Sequence, residues 1–421
     1  MIGVTRSGLT VLGLTLAVMA GAATGQPDAG KGLKADGPVL RDGSGRVVQL
    51  RGVNLGGWLE WQDWMCPVDV SKTLRDANPG HNGYDFEVRR KLAGRFGTRV
   101  AEDLINTYLD AWISASDMDN LGALGLNAVR LPFAYDTLLN EDGTWRPDAF
   151  TRMDWLVKSA WDHGLYTILD YHAFLPPGAD QNGGAGGYWA SEADQAETVR
   201  IWTRVAEHYK GNPAVAMCDL LNEPNNSYLE NQPPPAASAV CDLYDRLYKA
   251  IRAVDPDRVI AMEGVWGWHT LRDPVKNGYQ NIAYSFHWYN WSGRSTVERK
   301  RATGDDLQNA ADMIRAWNVP VFIGEFNLFG DRESWKYALQ QYDKHGLSWT
   351  LWTYKNKASG ANSWGVYTTI PNKVPPVPNL ATDSSEVIRL KWKDWTTSPE
   401  IFALNPMFKA VLAHDPTHRQ D

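Results

Sequence analysis

The sequence predicts an α/β protein folded as a single (β/α)8 barrel. Three observations carry that prediction. Eight short apolar runs recur along the chain. Between them lie stretches whose apolar residues fall three and four apart, the period of a helix. Most runs also end in a residue able to bind a ligand or move a proton, and strand ends are where such barrels place those groups.

The runs cover residues 47–54, 126–133, 166–173, 215–224, 258–264, 282–289, 319–326 and 347–354. Each is short and carries β-branched or aromatic residues, the signature of a strand buried on both faces. The spacers carry helix marks. From Asp148 to His163 the apolar positions are Phe150, Met153, Leu156, Val157, Ala160 and Trp161, and Gly164 ends the run. Ser191 and Asp194 form a capping-box variant, followed by one apolar face (Val199, Trp202, Val205, Tyr209) and a stop at Gly211. Residues 235–254, 305–317 and 333–345 read the same way, and 101–121 reads as one helix ending before Gly122. Strand and helix in alternation imply a parallel sheet. Eight such units favour closure into a barrel. The competing doubly wound sheet carries a glycine-rich phosphate turn after its first strand, and Asn54-Leu55-Gly56-Gly57-Trp58 lacks that fingerprint. The predicted catalytic domain is 39–421, with 26–38 as a linker and 355–396 as a long irregular loop after the eighth strand.

Composition narrows the function. At 43% hydrophobic and 22% charged, the 421 residues can build a core, which excludes a disordered chain. Forty-two basic against 49 acidic residues leave a charge of −7, which excludes a polybasic nucleic-acid binder. No interior run is long and apolar enough for a polytopic membrane protein. The first 25 residues place Arg6 before an apolar stretch at 9–20 and small residues at 21–23, the pattern of a signal peptide. The expectation is a secreted or periplasmic protein, free of the membrane once that segment is removed. Cys66, Cys218 and Cys241 cannot all pair within one chain. They read as buried thiols, with one bridge left open.

The residues that close the runs are Asn54, Arg130, His172, Asn222, Glu223, Glu263, His287, Tyr289, Glu325 and Trp352. A barrel brings them to one mouth. Glu223 and Glu325 end the fourth and seventh runs, and a carboxylate closing a buried strand is costly unless it is paired or functional. Two carboxylates facing a sugar suffice for glycoside hydrolysis: one protonates the leaving oxygen, the other attacks C1 or activates water. No phosphate loop, nucleophile elbow or thiol dyad offers another chemistry. His172 and His287 stand isolated in sequence, so no metal site and no cofactor is expected.

The set Arg130, His172, Asn222-Glu223-Pro224, His287-x-Tyr289, Glu325 and Trp352 resembles glycoside hydrolase family 5, the retaining cellulase-type barrels of clan A. The resemblance spans about residues 40–415. It implies that Glu223 is the acid/base and Glu325 the nucleophile. It implies that Asn222 binds the sugar 2-hydroxyl and that Arg130 and Tyr289 hold Glu325. His172 and His287 would line the −1 site, and Trp352 would be the sugar platform, often followed by a cis peptide in this family. A guanidinium beside Glu325 would favour its anionic form.

Twenty Trp residues carry the substrate signal. Trp58, Trp189, Trp266 and Trp352, with others at strand ends, suit the apolar faces of pyranose rings. Glu263 with Trp266 and Trp268 forms a candidate extra subsite, and a buried salt bridge is the equal alternative for Glu263. Arg51-Gly-Val-Asn-Leu-Gly-Gly-Trp-Leu59 and residues 178–183 are similar to the exo-β-1,3-glucanase branch, whereas residues 170–173 and 287–289 depart from it. The expected partner is a β-glucan oligo- or polysaccharide, bound by a monomer, with β-1,3 and β-1,4 linkage both open. The alternative is a non-catalytic carbohydrate-binding protein on a glycosidase scaffold.

Overall fold

The computed structural model describes residues 32–68, 85–176, 187–224, 237–264, 268–289 and 295–412. The expected signal peptide lies outside these residues. Eight parallel strands close into a barrel. They are β1 (Arg51–Asn54), β2 (Ala128–Ala134), β3 (Tyr166–Ala173), β4 (Val215–Asp219), β5 (Val259–Glu263), β6 (Ile282–Tyr289), β7 (Val321–Asn327) and β8 (Ser348–Leu351). Closure runs through β8, which pairs with β7 on one side and β1 on the other. Two glycines make the geometry feasible. A Cβ at Gly52 would lie 2.4 Å from the Ala128 carbonyl oxygen, so only glycine lets β1 and β2 approach this closely. Gly324 is the extra residue of a β-bulge between Ile323 and Glu325, which shifts the β7–β6 register and sets Glu325 beside His287.

The helices begin where the chain offers caps. Ser191 accepts the Asp194 N–H ahead of helix Glu192–Tyr209. Ser295 and Glu298 form a capping box that starts Thr296–Trp317 nine residues before the expected 305. The expected helix 101–121 is two helices, Thr98–Trp112 and Ala115–Ala123. Ile113 and Ser114 are extended between them, and Ser114 caps the second through Asp117. Local caps therefore override a continuous apolar period.

Two other segments differ from the sequence reading. Lys34–Asp36, within the expected linker, pairs with Val39–Arg41, which pairs in turn with Val47–Val48. Leu40 of this small sheet, with the flanking Leu33 and Leu50, packs on Ala128, Ile168, Met217, Val259 and Phe322 and closes the N-terminal end of the barrel. The stretch 355–396 is not a plain loop. Lys355–Ser359 and Tyr367–Thr369 form a sheet with Phe402–Leu404, and Ser385–Lys393 is a helix. Lys355 is fully buried and sits over the Trp112 and Phe402 rings, donating to the Trp112 carbonyl at 3.0 Å. Such pairings join residues distant in sequence, so no local period announces them. Cys66, Cys218 and Cys241 are buried free thiols.

Candidate active site

Arg130, fully buried on β2, is the hub of the mouth. Its Nε donates to Asp219 Oδ2 at 2.9 Å. Nη1 donates to Glu325 Oε1 at 2.9 Å and to Asn54 Oδ1 at 3.0 Å, and lies 3.0 Å from Asp170 Oδ2. Nη2 donates to Asn222 Oδ1 at 3.0 Å. A guanidinium presents five donors in a rigid plane, so one side chain positions residues from β1, β3, β4 and β7 together.

Glu325 is held from a second side. Tyr289, from the end of β6, donates its hydroxyl to Oε2 at 2.7 Å. The Gly324 bulge is needed here, since a Cβ at that position would lie 3.1 Å from His287 Nε2 and 2.7 Å from Ser285 Oγ.

Glu223 follows β4 with a left-handed φ of 46°, a conformation disfavoured for a residue with a Cβ. Its N–H donates to Glu263 Oε2 at 2.6 Å. Its Oε1 lies 2.8 Å from His287 Nδ1. Burial pushes the Glu223 carboxyl up to about 7, against the opposing effect of His172 and Arg130. Burial also lowers His287 to about 3, so this imidazole is neutral. Glu223, His287 and Glu325 each offer a ligand atom within 4.8 Å of the others. That trio is also the group among the described residues that could hold a cation. Two buried carboxylates this close can flank one reacting carbon.

On β3, His172 Nδ1 lies 2.8 Å from Asp170 Oδ2, and its ring stacks on Trp352 with centroids 5.1 Å apart at 18°. Asn222 Nδ2 is 3.3 Å from His172 Nε2. The Trp352–Thr353 peptide is cis.

Several expected ligands sit elsewhere. Trp58 is fully buried, donates to the Leu109 carbonyl at 2.9 Å, and packs edge-on against Trp155 of the outer helix Thr151–Asp162. It is wall, not sugar platform, because its ring faces the helical layer. Glu263 is 1% exposed and lies behind Glu223 and His287, so it cannot form an open subsite. Trp189 is half-buried against Phe174 and Tyr188. Trp266 lies outside the described residues. Of the strand-end tryptophans the sequence singles out, Trp64 is exposed; its ring centroid is 5.1 Å from that of Trp364, which lies 5.7 Å from Tyr289.

Asp170, Asp219 and Glu60 escape the strand-end rule. Each is a fully buried acid, and the first two stand inside strands that are buried at every position. Asp170 also stands two residues before His172, on the same face of its strand. Neither oxygen of Glu60 has a well-formed hydrogen bond. Burial pushes Glu60 up to about 7, opposed by the charge of His172. Asp170, Asp219 and Glu325 thus pair with Arg130, Glu223 and Glu263 lie within reach of its charge, and Glu60 feels the charge of His172 instead.

A family model for cellulase (glycosyl hydrolase family 5) matches residues 92–358 of this chain. The chain belongs to glycosyl hydrolase family 5. This family 5 enzyme is a glycoside hydrolase, and the match spans β2 to β8 with every strand-end residue from Arg130 to Trp352. It is 27% identical over 364 residues to a β-xylosidase of Phanerodontia chrysosporium, covering 77% of this chain and 71% of the other. It is 25% identical to a probable glucan endo-1,6-β-glucosidase B of Aspergillus flavus, covering 73% and 84%. Among solved structures, the endoglucanase Cel5A of Thermotoga maritima shares the fold, with a TM-score of 0.51 at 19% identity, covering 76% of this chain and 92% of that one.

Proposed function

We propose that this family 5 enzyme cleaves a β-glucan with net retention, by double displacement, with Glu223 as acid/base and Glu325 as nucleophile. The observation that carries this reading is the closeness of the two carboxyls, which bring oxygens within 4.8 Å. Retention needs carboxyls about 5 Å apart, while inversion needs a wider gap to admit a water.

The division of roles follows from environment. Glu325 accepts from Arg130 and Tyr289, one donor to each oxygen, which supports a carboxylate fixed for attack on C1. Glu223 Oε1 lies 2.8 Å from the His287 ring, and burial raises the carboxyl to about 7, which supports a proton-bearing acid near neutrality. In the first step the C1–O bond breaks, Glu325 bonds to C1, and the Glu223 proton goes to the leaving oxygen. Glu325 is then an ester and has lost its charge. Glu223, now a carboxylate, takes a proton from water as that water attacks C1 and releases Glu325.

Trp352 stacked on His172 supports a platform for the ring being cleaved, and Trp64 with Trp364 supports a further sugar or an apolar aglycone. The N-terminal pattern supports export, which suits a polysaccharide substrate. The test is product analysis on laminari- and cello-oligosaccharides, with the anomer followed by NMR. A first-formed β-anomer is the expected result, and an α-anomer overturns the mechanism.

A further inference from the structure

Glu263 stands directly behind Glu223 and reaches it by two routes. Its Oε2 accepts the Glu223 backbone N–H at 2.6 Å. Its Oε1 lies 3.1 Å from His287 Nε2, whose other nitrogen lies 2.8 Å from Glu223 Oε1. Its own main chain is pinned by Tyr244, whose hydroxyl accepts the Glu263 N–H at 3.0 Å and donates to the Glu263 carbonyl at 3.1 Å. Among the described residues, Glu263 Oε1 and His287 Nε2 have no better-placed partner than each other.

A neutral imidazole has one N–H to place. If it sits on Nε2, then Nδ1 is a lone pair, and the Glu223 proton is drawn into a bond with the ring. If it sits on Nδ1, the ring donates to Glu223 Oε1, and the Glu223 proton resides on Oε2. Glu263 decides between the two. As a carboxylate it would hold the proton on Nε2; as a carboxylic acid it would donate to Nε2 and leave the ring proton on Nδ1. The groups facing Glu263 favour the acid. It is buried, the charges of Glu223 and Asp219 of the β4 segment act on it, and Arg130 opposes them. Burial and these two carboxyls hold Glu263 well above the usual carboxylate range.

We propose that Glu263 is a positioning residue: as a neutral acid it donates to His287 Nε2, fixes the Nδ1–H tautomer, and confines the Glu223 proton to Oε2. The proposal rests on the acid/base reading of Glu223 given above. No proton leaves Glu263 or His287 in the cycle. The proton given to the leaving oxygen comes from Glu223 Oε2, and the one taken from water returns there.

The experiment compares Glu263→Ala and Glu263→Gln with the parent enzyme on two substrates. One is a gluco-oligosaccharide, whose sugar leaving group needs protonation. The other is 2,4-dinitrophenyl β-glucoside, whose leaving group does not. Glu263→Ala should lose about 100-fold or more in kcat/KM on the oligosaccharide, the scale of a misplaced general acid, and under about 10-fold on the dinitrophenyl glycoside. A glutamine amide can donate to Nε2 and accept from the Glu223 N–H, so Glu263→Gln should recover at least about 10-fold of the oligosaccharide loss. Equal losses on both substrates, or a glutamine variant no better than alanine, would overturn the proposal. If the alanine variant does not fold, the glutamine variant decides alone: a loss of about 100-fold confined to the oligosaccharide refutes a neutral donor, and a loss under about 10-fold supports it. Failure of the underlying reading looks different, because Glu223→Gln would then keep its full oligosaccharide rate.

Discussion

Tyr289 donates its hydroxyl to Glu325 Oε2 at 2.7 Å, on the oxygen that Arg130 leaves free. The carboxylate is therefore gripped at both ends, and it cannot rotate to present a different lone pair. Tyr289→Phe should lower kcat by about 10- to 100-fold, the worth of one hydrogen bond to a charged group. Glu325→Gln should lower it by on the order of 10^4-fold while oligosaccharide binding survives. Steady-state kinetics with calorimetric binding separates the two effects. An active Glu325→Gln enzyme would remove the nucleophile assignment.

The pH profile should carry the signature of Glu223. Its carboxyl is raised to about 7 by burial, and it must be protonated to act as the acid. Activity on an oligosaccharide should therefore fall as pH rises above about 7. The Glu223→Gln variant, assayed with a dinitrophenyl glycoside and azide as external nucleophile, should lose that alkaline limb. A limb that persists unchanged in the variant belongs to another group.

Glu60 makes a stability prediction. Its carboxyl titrates near 4.5 when unfolded and is raised to about 7 by burial in the fold. The folded chain thus binds its proton more tightly. The associated stability is present below pH 4.5 and is lost as pH rises through 7. A shift of that size corresponds to about 3 kcal/mol. Glu60→Gln, which cannot ionise, should gain up to about 3 kcal/mol over the parent at pH 8 and nothing at pH 4. Denaturant unfolding at both pH values measures the difference. An equal gap at the two values would show that Glu60 does not titrate in this way.

Two tryptophans should separate packing from binding. Trp58 is buried against the helical layer, so Trp58→Ala should cost about 3–5 kcal/mol of stability. Its soluble fraction should keep the parent KM. Trp352 stacks on His172 at the mouth, so Trp352→Ala should weaken oligosaccharide binding by about 1 kcal/mol, the worth of a ring contact beyond its area. A KM change for Trp58→Ala alone would reverse that division.

Much of the architecture was legible because its signals are local. Eight apolar runs marked eight barrel strands, and Ser191 with Asp194 marked a helix start. The first run was split, since Val47–Val48 belongs to the sheet under the barrel and only Arg51–Asn54 to its wall. A strand-end list placed Arg130, Asn222, Glu223, His287, Tyr289 and Glu325 at one mouth, because side chains at the same end of parallel strands converge when the sheet closes. Trp58 and Glu263 also lie at strand ends, yet one faces the helices and the other lies beneath Glu223 and His287. Strand position tells which end of the barrel a residue occupies, but not its depth.

By itself, then, the order of residues determined the barrel, the family and the placement of Glu223 and Glu325 at one mouth, because period and strand-end chemistry are written in adjacent positions. Tertiary structure decided how those acids differ. It placed a guanidinium and a phenol on Glu325, and an imidazole backed by Glu263 against Glu223. Protonation state depends on distance and burial among residues far apart along the chain, and only folding sets those.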